Sequence, residues 1–130
     1  MRIKAKINTM LISGIFQILV GSGMIGIWLF LFLTGQIPEL QTEVLSIAAH
    51  LAAEAVTALM LLISGFGILI KWRKMKILFY ISFGALIYTL IASPGYFAQT
   101  GQWVTASFFL VLLGIALVLL VVRGKQTYTQ

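Results

Sequence analysis

Cysteine is absent from the 130-residue sequence, and histidine and acidic residues are scarce, with one His and three Asp or Glu in total. Without cysteine the chain forms no disulfide, no thiolate metal site and no cysteine nucleophile. A single histidine excludes a haem held by two histidines of one chain. The sequence also has no HExxH motif and no phosphate-binding glycine loop, which are common marks of a catalytic centre. We therefore predict that the protein is not an enzyme and has no resident cofactor.

Charged residues are scarce as well, at 9% of the chain, whereas 61% of the residues are hydrophobic. This composition is too apolar for an ordinary soluble domain. Four apolar runs are each long enough to form a helix that crosses a bilayer, at about residues 8–33, 43–70, 77–97 and 102–122. We predict one domain over residues 1–130, an all-α integral membrane protein of the cell membrane. It is a multi-pass antiparallel bundle of four transmembrane helices.

Two short segments carry residues that interrupt helices. Gly35 and Pro38 lie in the segment 34–42, which we expect to be a solvated loop. Ser93-Pro94-Gly95 is expected to end or distort the third helix, because proline lacks a backbone N–H.

The nine Lys and Arg residues, which give a formal charge of +6, lie in three clusters that each flank an apolar run. With four spans all three clusters fall on one side, and the bias of Lys and Arg toward cytoplasmic loops places both termini in the cytoplasm. This distribution argues for a membrane rather than nucleic acid as the partner. We interpret the central cluster as a surface anchor on anionic lipids of the inner leaflet. Its residues are Lys71, Trp72, Arg73, Lys74 and Lys76.

Polar residues of the second apolar run share one face of a helix. They fall within an arc of roughly 80° at the helical period: Ser46, His50, Glu54, Thr57 and Ser64. Lipid cannot satisfy polar groups, so this face is expected to line the interior of the bundle. An ionisable residue inside a membrane span is a functional-site hypothesis, and Glu54 is the best candidate.

Distance along the helix indicates where this site lies. Counted from Ile70, Glu54 is about 24 Å and His50 about 30 Å along the helix, which places them in the outer half of a core of about 30 Å. Gln17 lies near the middle. Three more polar residues lie in the outer half: Tyr88, Ser93 and Ser107. We predict an outward-facing recess between the second, third and fourth spans, with Gln17 below it.

The first span also has a recognisable face, formed by Ser13, Gln17, Gly21, Met24 and Trp28. For Gln17 a hydrogen bond to a neighbouring helix and a ligand contact are both open. The sequence Leu-Ile-Ser-Gly occurs at 11–14 and at 62–65, at similar distances from the basic residues. Because small residues let helices approach closely, a contact between the two copies is expected.

These features favour a transporter or channel-like protein that handles a small solute, proton or cation. Its site residues would be Glu54, His50, Tyr88 and Gln17. Four helices rarely enclose a pathway alone, so we expect a homo-oligomer or a membrane partner subunit. One alternative is a non-catalytic accessory or scaffold subunit of a larger membrane complex, in which His50 and Glu54 only fix helix packing.

A metal-binding membrane protein is a further alternative. His50 and Glu54, at i and i+4, could supply two ligands to a divalent metal. The remaining ligands would have to come from Gln17, from tyrosines or from a second protomer, because two ligands are too few.

Overall fold

The computed structural model describes residues 2–99 and 101–128, and within these ranges every regular element is a helix. In chain order the helices are α1 (Arg2–Leu33), α2 (Glu39–Thr42), α3 (Val44–Leu69), α4 (Met75–Gln99) and α5 (Trp103–Tyr128). Four of them contain stretches long and apolar enough to cross a membrane, namely Ile7–Leu33, Val44–Leu69, Met75–Gln99 and Trp103–Gln126. The prediction of an all-α chain with four such helices is confirmed.

The long helices pack against their neighbours in chain order, α1 on α3, α3 on α4 and α4 on α5. The two middle helices are the most enclosed. In the most apolar 18 residues of each helix, 44% are buried in α3 and 39% in α4, against 11% in α1 and in α5. The start of α1 meets the end of α5, where Gln126 Nε2 donates to Thr9 Oγ1 over 3.2 Å. The turn between α3 and α4, with Lys71 and Lys74, lies at this same end. We call it the basic end, and the other the opposite end.

Three of the long helices end in the same way. In each, one residue takes a left-handed backbone conformation, with φ of 66° at Gly35, 59° at Lys71 and 76° at Gly101. The next backbone N–H then bonds a carbonyl five residues back, as in Trp72 to Gly67 at 2.8 Å. This C-cap satisfies carbonyls that the helix leaves free. Glycine adopts the conformation without a steric cost, and Lys71 does not.

Two local features differ from the sequence-based expectations. The segment expected to be a loop contains the short helix α2. Helix α4 does not end at Ser93-Pro94-Gly95 but continues through Pro94 to Gln99. A proline removes one backbone hydrogen bond, and packing holds the last turns in place. The Phe97 ring stacks on Phe109 of α5, with centroids 5.3 Å apart.

Candidate functional site

Glu54 lies on α3 with its carboxylate almost enclosed, since the residue is 8% exposed. Trp28 of α1 donates its indole N–H to Glu54 Oε2 over 2.8 Å. The other carboxylate oxygen, Oε1, lies 3.6 Å from His50 Nε2, one helical turn away. The contact that the i, i+4 spacing predicts between His50 and Glu54 is therefore present.

His50 differs from Glu54 in its surroundings, because its side chain is 48% exposed. The Trp28 ring meets the His50 ring edge-on, with centroids 5.8 Å apart and planes at 75°. Trp28 thus touches both members of the pair and joins α1 to α3 at the opposite end. Sequence reasoning missed this role of Trp28. The available signal was its position on the same face of α1 as Gln17.

Helices α1 and α3 are in close contact nearer the basic end. A methyl group built on Gly65 would lie 2.9 Å from the carbonyl oxygen of Gly14, and one on Gly21 would lie 2.9 Å from the carbonyl oxygen of Ala58. The predicted contact between the two Leu-Ile-Ser-Gly segments is confirmed at Gly14 and Gly65. Beyond Gly21 toward the opposite end, Met24 and Trp28 continue this face of α1 and line a cavity.

This cavity of about 280 Å³ lies between α1 and α3. Most of its wall is apolar, and the loop after α1 contributes Ile37, which is 6% exposed. Glu54 is the one ionisable side chain among the described residues that line it. We call this space the Glu54 cavity. Its aromatic lining comes from Trp28 and Phe32.

This position differs from the predicted recess between the second, third and fourth spans, because the cavity lies between the first and second. Four of the other predicted site residues do not line this cavity. Tyr88 is 73% exposed, Ser46 and Ser107 are exposed, and Ser93 is half-buried on α4. Distance along a helix gives the height of a residue but does not identify the neighbouring helix it faces.

Gln17 lies in a separate polar cluster at the interface of α1, α3 and α4. Its Nε2 donates to Ser82 Oγ over 2.8 Å, and its Oε1 accepts from Ser64 Oγ over 3.1 Å. All three side chains are fully buried. Of the two roles left open for Gln17, the structure shows the hydrogen bond to neighbouring helices.

Two further buried hydroxyls lie along the same interface. Thr57 Oγ1, one turn beyond Glu54, donates to the backbone carbonyl of Ala53 over 2.8 Å. Ser13, one turn from Gln17, is fully buried, and its Oγ has no hydrogen-bond partner. Buried polar groups therefore extend from Glu54 past Gln17 toward the basic end.

The residues interpreted as a membrane-surface anchor lie at the basic end. All five are exposed in or next to the turn between α3 and α4: Lys71, Trp72, Arg73, Lys74 and Lys76. Their placement keeps five side chains away from the packed interior. It also separates these four positive charges from Glu54, since Lys71 is about 25 Å along the helix from Glu54.

The donor set near Glu54 is small for a metal. Within residues 2–99 and 101–128, no three His, Cys, Asp or Glu side chains lie close enough together to hold an ion. His50 and Glu54 could supply two metal ligands. One of them, the Glu54 carboxylate, already accepts a hydrogen bond from the Trp28 N–H. An ionised carboxylate can accept about four hydrogen bonds, and Trp28 supplies one of them.

Comparison with known proteins gives a family but no described relative. No curated protein and no solved structure matches the chain. A family model described as "Domain of unknown function (DUF8058)" matches residues 7–130, which include all four long apolar helices and the Glu54 cavity. The chain therefore belongs to the family DUF8058.

Proposed function

We propose that the protein is a transporter or channel-like protein that moves a small cationic solute or a proton across the cell membrane, with Glu54 as the group that binds it. The observation that carries this proposal is the carboxylate of Glu54 in the wall of an otherwise apolar cavity. Ionisable groups are costly inside a membrane, and those that are present commonly mark ion or substrate pathways.

The hydrogen bonds of Glu54 support a binding role over a purely structural one. An ionised carboxylate can accept about four hydrogen bonds. Trp28 supplies one at 2.8 Å, and His50 is at 3.6 Å, too far for a strong hydrogen bond. The carboxylate therefore retains acceptor positions toward the cavity.

The line of buried polar groups supports transport over binding alone. From Glu54 to Ser64 is about 15 Å along α3, and Thr57 lies between them. Ser64 bonds Gln17, and Ser13 follows one turn nearer the basic end. Hydroxyl and amide groups at this interface could exchange hydrogen bonds with water or a proton along most of the bundle.

The proposal includes a topology and an assembly. Both termini and the turn between α3 and α4 lie in the cytoplasm, where Lys and Arg contact anionic lipids. A homo-oligomer or a membrane partner completes the pathway. The exposed glycines Gly23 and Gly26 of α1, with no atom within 4 Å of an added methyl group, leave room for a second helix.

The absence of cysteine makes the topology directly testable. Single cysteines would replace Lys74 in the basic turn and Gln41 in α2, and intact cells would be treated with a membrane-impermeant maleimide. We expect labelling at position 41 but not at 74 unless the cells are opened. Labelling of 74 in intact cells would contradict the topology.

Transport is tested with purified protein in liposomes that contain a pH-sensitive dye. Sodium, potassium, ammonium and organic ammonium ions are added one at a time, and internal pH and membrane current are followed. We expect protein-dependent flux with at least one of them. Glu54→Gln should lower this flux about tenfold or more, because the bound cation would lose its charged partner. A hydrogen bond to a charged group contributes about 1.5–3 kcal/mol.

Glu43→Gln is the matched control, because Glu43 is an exposed glutamate at the start of the same helix with no side-chain cap hydrogen bond. Its flux should equal that of the unmodified protein. Equal flux in the Glu54→Gln and unmodified proteins, or no flux with any cation, would overturn the proposed function.

A further inference from the structure

We infer that the Glu54 cavity binds a monovalent organic cation with an apolar body, such as a quaternary or protonated amine that carries an aromatic or branched alkyl group. This inference rests on the proposed role of Glu54 as the binding group and narrows the class of ligand. It follows from the charge, the aromatic lining and the size of the cavity together.

The charge distribution selects a cation. All three acidic residues, Glu39, Glu43 and Glu54, lie toward the opposite end, whereas all nine Lys and Arg lie at the basic end by their positions in the chain. The nearest titratable side chain to the Glu54 carboxylate is His50, half in solvent. When ionised, a carboxylate between apolar walls attracts a positive ligand strongly, because such walls screen it poorly.

The aromatic lining favours an organic cation over an inorganic one. Trp28 is fixed beside Glu54 by its N–H bond, and Phe32 lines the cavity one turn further along α1. Tryptophan is the best aromatic partner of a cation, and aromatic rings are a common means of binding quaternary ammonium groups. The indole thus stands where the ligand's charged group would contact both a carboxylate and a ring.

The scarcity of oxygen atoms excludes small metal cations. Calcium takes six to eight oxygen ligands and magnesium requires a near-octahedral set. The cavity offers one carboxylate, and its remaining described wall residues are apolar apart from the Trp28 N–H. A ligand that brings its own apolar surface fills such a wall without needing further donors.

The volume limits the size of the ligand. At about 280 Å³, the cavity lies just below the range that holds drug-sized molecules. Benzyltrimethylammonium, which has one charge and one ring, is a suitable probe. Tetramethylammonium carries the charge without the apolar body, and phenylmethanesulfonate carries a similar body with a negative charge.

Binding can be followed through Trp28 itself. The protein has three tryptophans, and Trp72 and Trp103 are 53% and 68% exposed, away from the cavity lining. Replacing both with phenylalanine leaves Trp28 as the single indole. In detergent or lipid nanodiscs, benzyltrimethylammonium should change its fluorescence in a saturable way. Tetramethylammonium should bind more weakly, and phenylmethanesulfonate should not bind.

Variants test whether the effect comes from the cavity. Glu54→Gln should weaken binding about tenfold or more, and Glu43→Gln should leave it unchanged. If Glu54→Gln fails to fold, Ala55→Leu provides a second test. Ala55 lines the cavity and is exposed, so a larger side chain there fills space while the carboxylate remains. Ala55→Leu should also weaken binding.

The outcomes separate this inference from the proposed function. Saturable binding without flux in liposomes upholds the inference and overturns transport. Flux of protons or inorganic cations without binding of benzyltrimethylammonium upholds transport and overturns the inference. Binding that is equal for the cation and the sulfonate, or unaffected by both cavity variants, also overturns the inference.

Discussion

Gly14 of α1 and Gly65 of α3 lie backbone to backbone, so that a methyl group on Gly14 would come within 3.1 Å of the carbonyl oxygen of Gly65. Gly21 repeats this relationship with Ala58 two turns further along α1. Close approach of two backbones strengthens van der Waals packing between helices in a bilayer, where burial of apolar surface provides little driving force. The Glu54 cavity begins beside these contacts, because Ala58 meets Gly21 and also lines the cavity.

Gly65→Ala should destabilise the protein. The new methyl group would meet the carbonyl oxygen of Gly14 and the Gln17 side chain, neither of which can move without shifting α1. Overpacking of this kind costs about 1–3 kcal/mol. The measurement is unfolding in detergent micelles, followed by circular dichroism.

Gly114→Ala is the matched control, at an exposed glycine within α5. Nothing lies within 4 Å of its added methyl group, and alanine is a better helix former than glycine by about 1 kcal/mol. The variant should be as stable as the unmodified protein or more so. If Gly65→Ala were as well tolerated as Gly114→Ala, the close contact of α1 and α3 would be disproved.

The hydrogen bond between Ser64 and Gln17 should be detectable as a coupling energy. Single variants Ser64→Ala and Gln17→Leu and the double variant form a thermodynamic cycle. Hydrogen bonds between helices in a membrane contribute about 0.6 kcal/mol on average and about 1.7 kcal/mol at most. We expect a coupling in that range from the free energies of unfolding.

Ser13 provides the comparison for this cycle, because it is as deeply buried as Ser64 but its hydroxyl has no partner. Ser13→Ala removes an unsatisfied polar group, so the protein should be unchanged or more stable. Its coupling with Gln17 should be close to zero. A coupling as large as that of Ser64 would show that Ser13 shares a bond with the Gln17 cluster.

Several features of the structure could be predicted because they depend on local spacing. The four long helices follow from apolar runs, and the contact of His50 with Glu54 follows from an i, i+4 interval. The approach of Gly14 to Gly65 follows from two similar segments at similar heights. The long helices and the contact of His50 with Glu54 depend on spacing within one helix. The approach of Gly14 to Gly65 depends on how far each segment lies from the basic residues.

Other features depend on how the helices are rotated and which of them are adjacent. Rotation and adjacency together place Trp28 beside Glu54. They also allow Gln17 to bond α3 and α4. The height of Tyr88 agreed with that of Glu54, yet Tyr88 is on an exposed face of α4. The course of α4 through Pro94 depends on packing against α5, which no local pattern encodes.

Trp28→Phe should destabilise the protein more than Trp103→Phe. The first substitution removes the N–H that Glu54 Oε2 accepts at 2.8 Å and leaves a nearly enclosed carboxylate without this donor. Hydrogen bonds to charged groups contribute about 1.5–3 kcal/mol. Trp103 is 68% exposed, so its replacement should have little effect.

Chemical unfolding of both variants, followed by circular dichroism, measures this difference. Glu54→Leu combined with Trp28→Phe should lose less stability than the sum of the two single changes, because each of them removes the same bond. Equal stability of the Trp28→Phe and Trp103→Phe proteins would contradict the geometry of the site.

The link between Glu39 and Tyr96 predicts a dependence on pH. Tyr96 OH donates to Glu39 Oε1 over 2.7 Å and so ties α2 to α4, next to the loop residue Ile37 that lines the cavity. This hydrogen bond lowers the pKa of the Glu39 carboxyl below its ordinary value of 4.5, because it stabilises the charged form.

A lowered pKa in the folded state fixes the sign of the effect. The unfolded chain binds a proton at higher pH than the folded one, so the bond contributes its full stability well above pH 4.5 and loses it as the pH falls through the lower pKa of the folded state. Carbon-13 NMR of the Glu39 carboxyl group should give a pKa below 4.5 in the unmodified protein and a higher one in Tyr96→Phe. Tyr88→Phe is the control, since Tyr88 lies on the same helix, is 73% exposed and should leave the Glu39 pKa unchanged. If Tyr96→Phe and Tyr88→Phe gave the same Glu39 pKa, the bond between Glu39 and Tyr96 would be absent in solution, and α2 would need another attachment to α4.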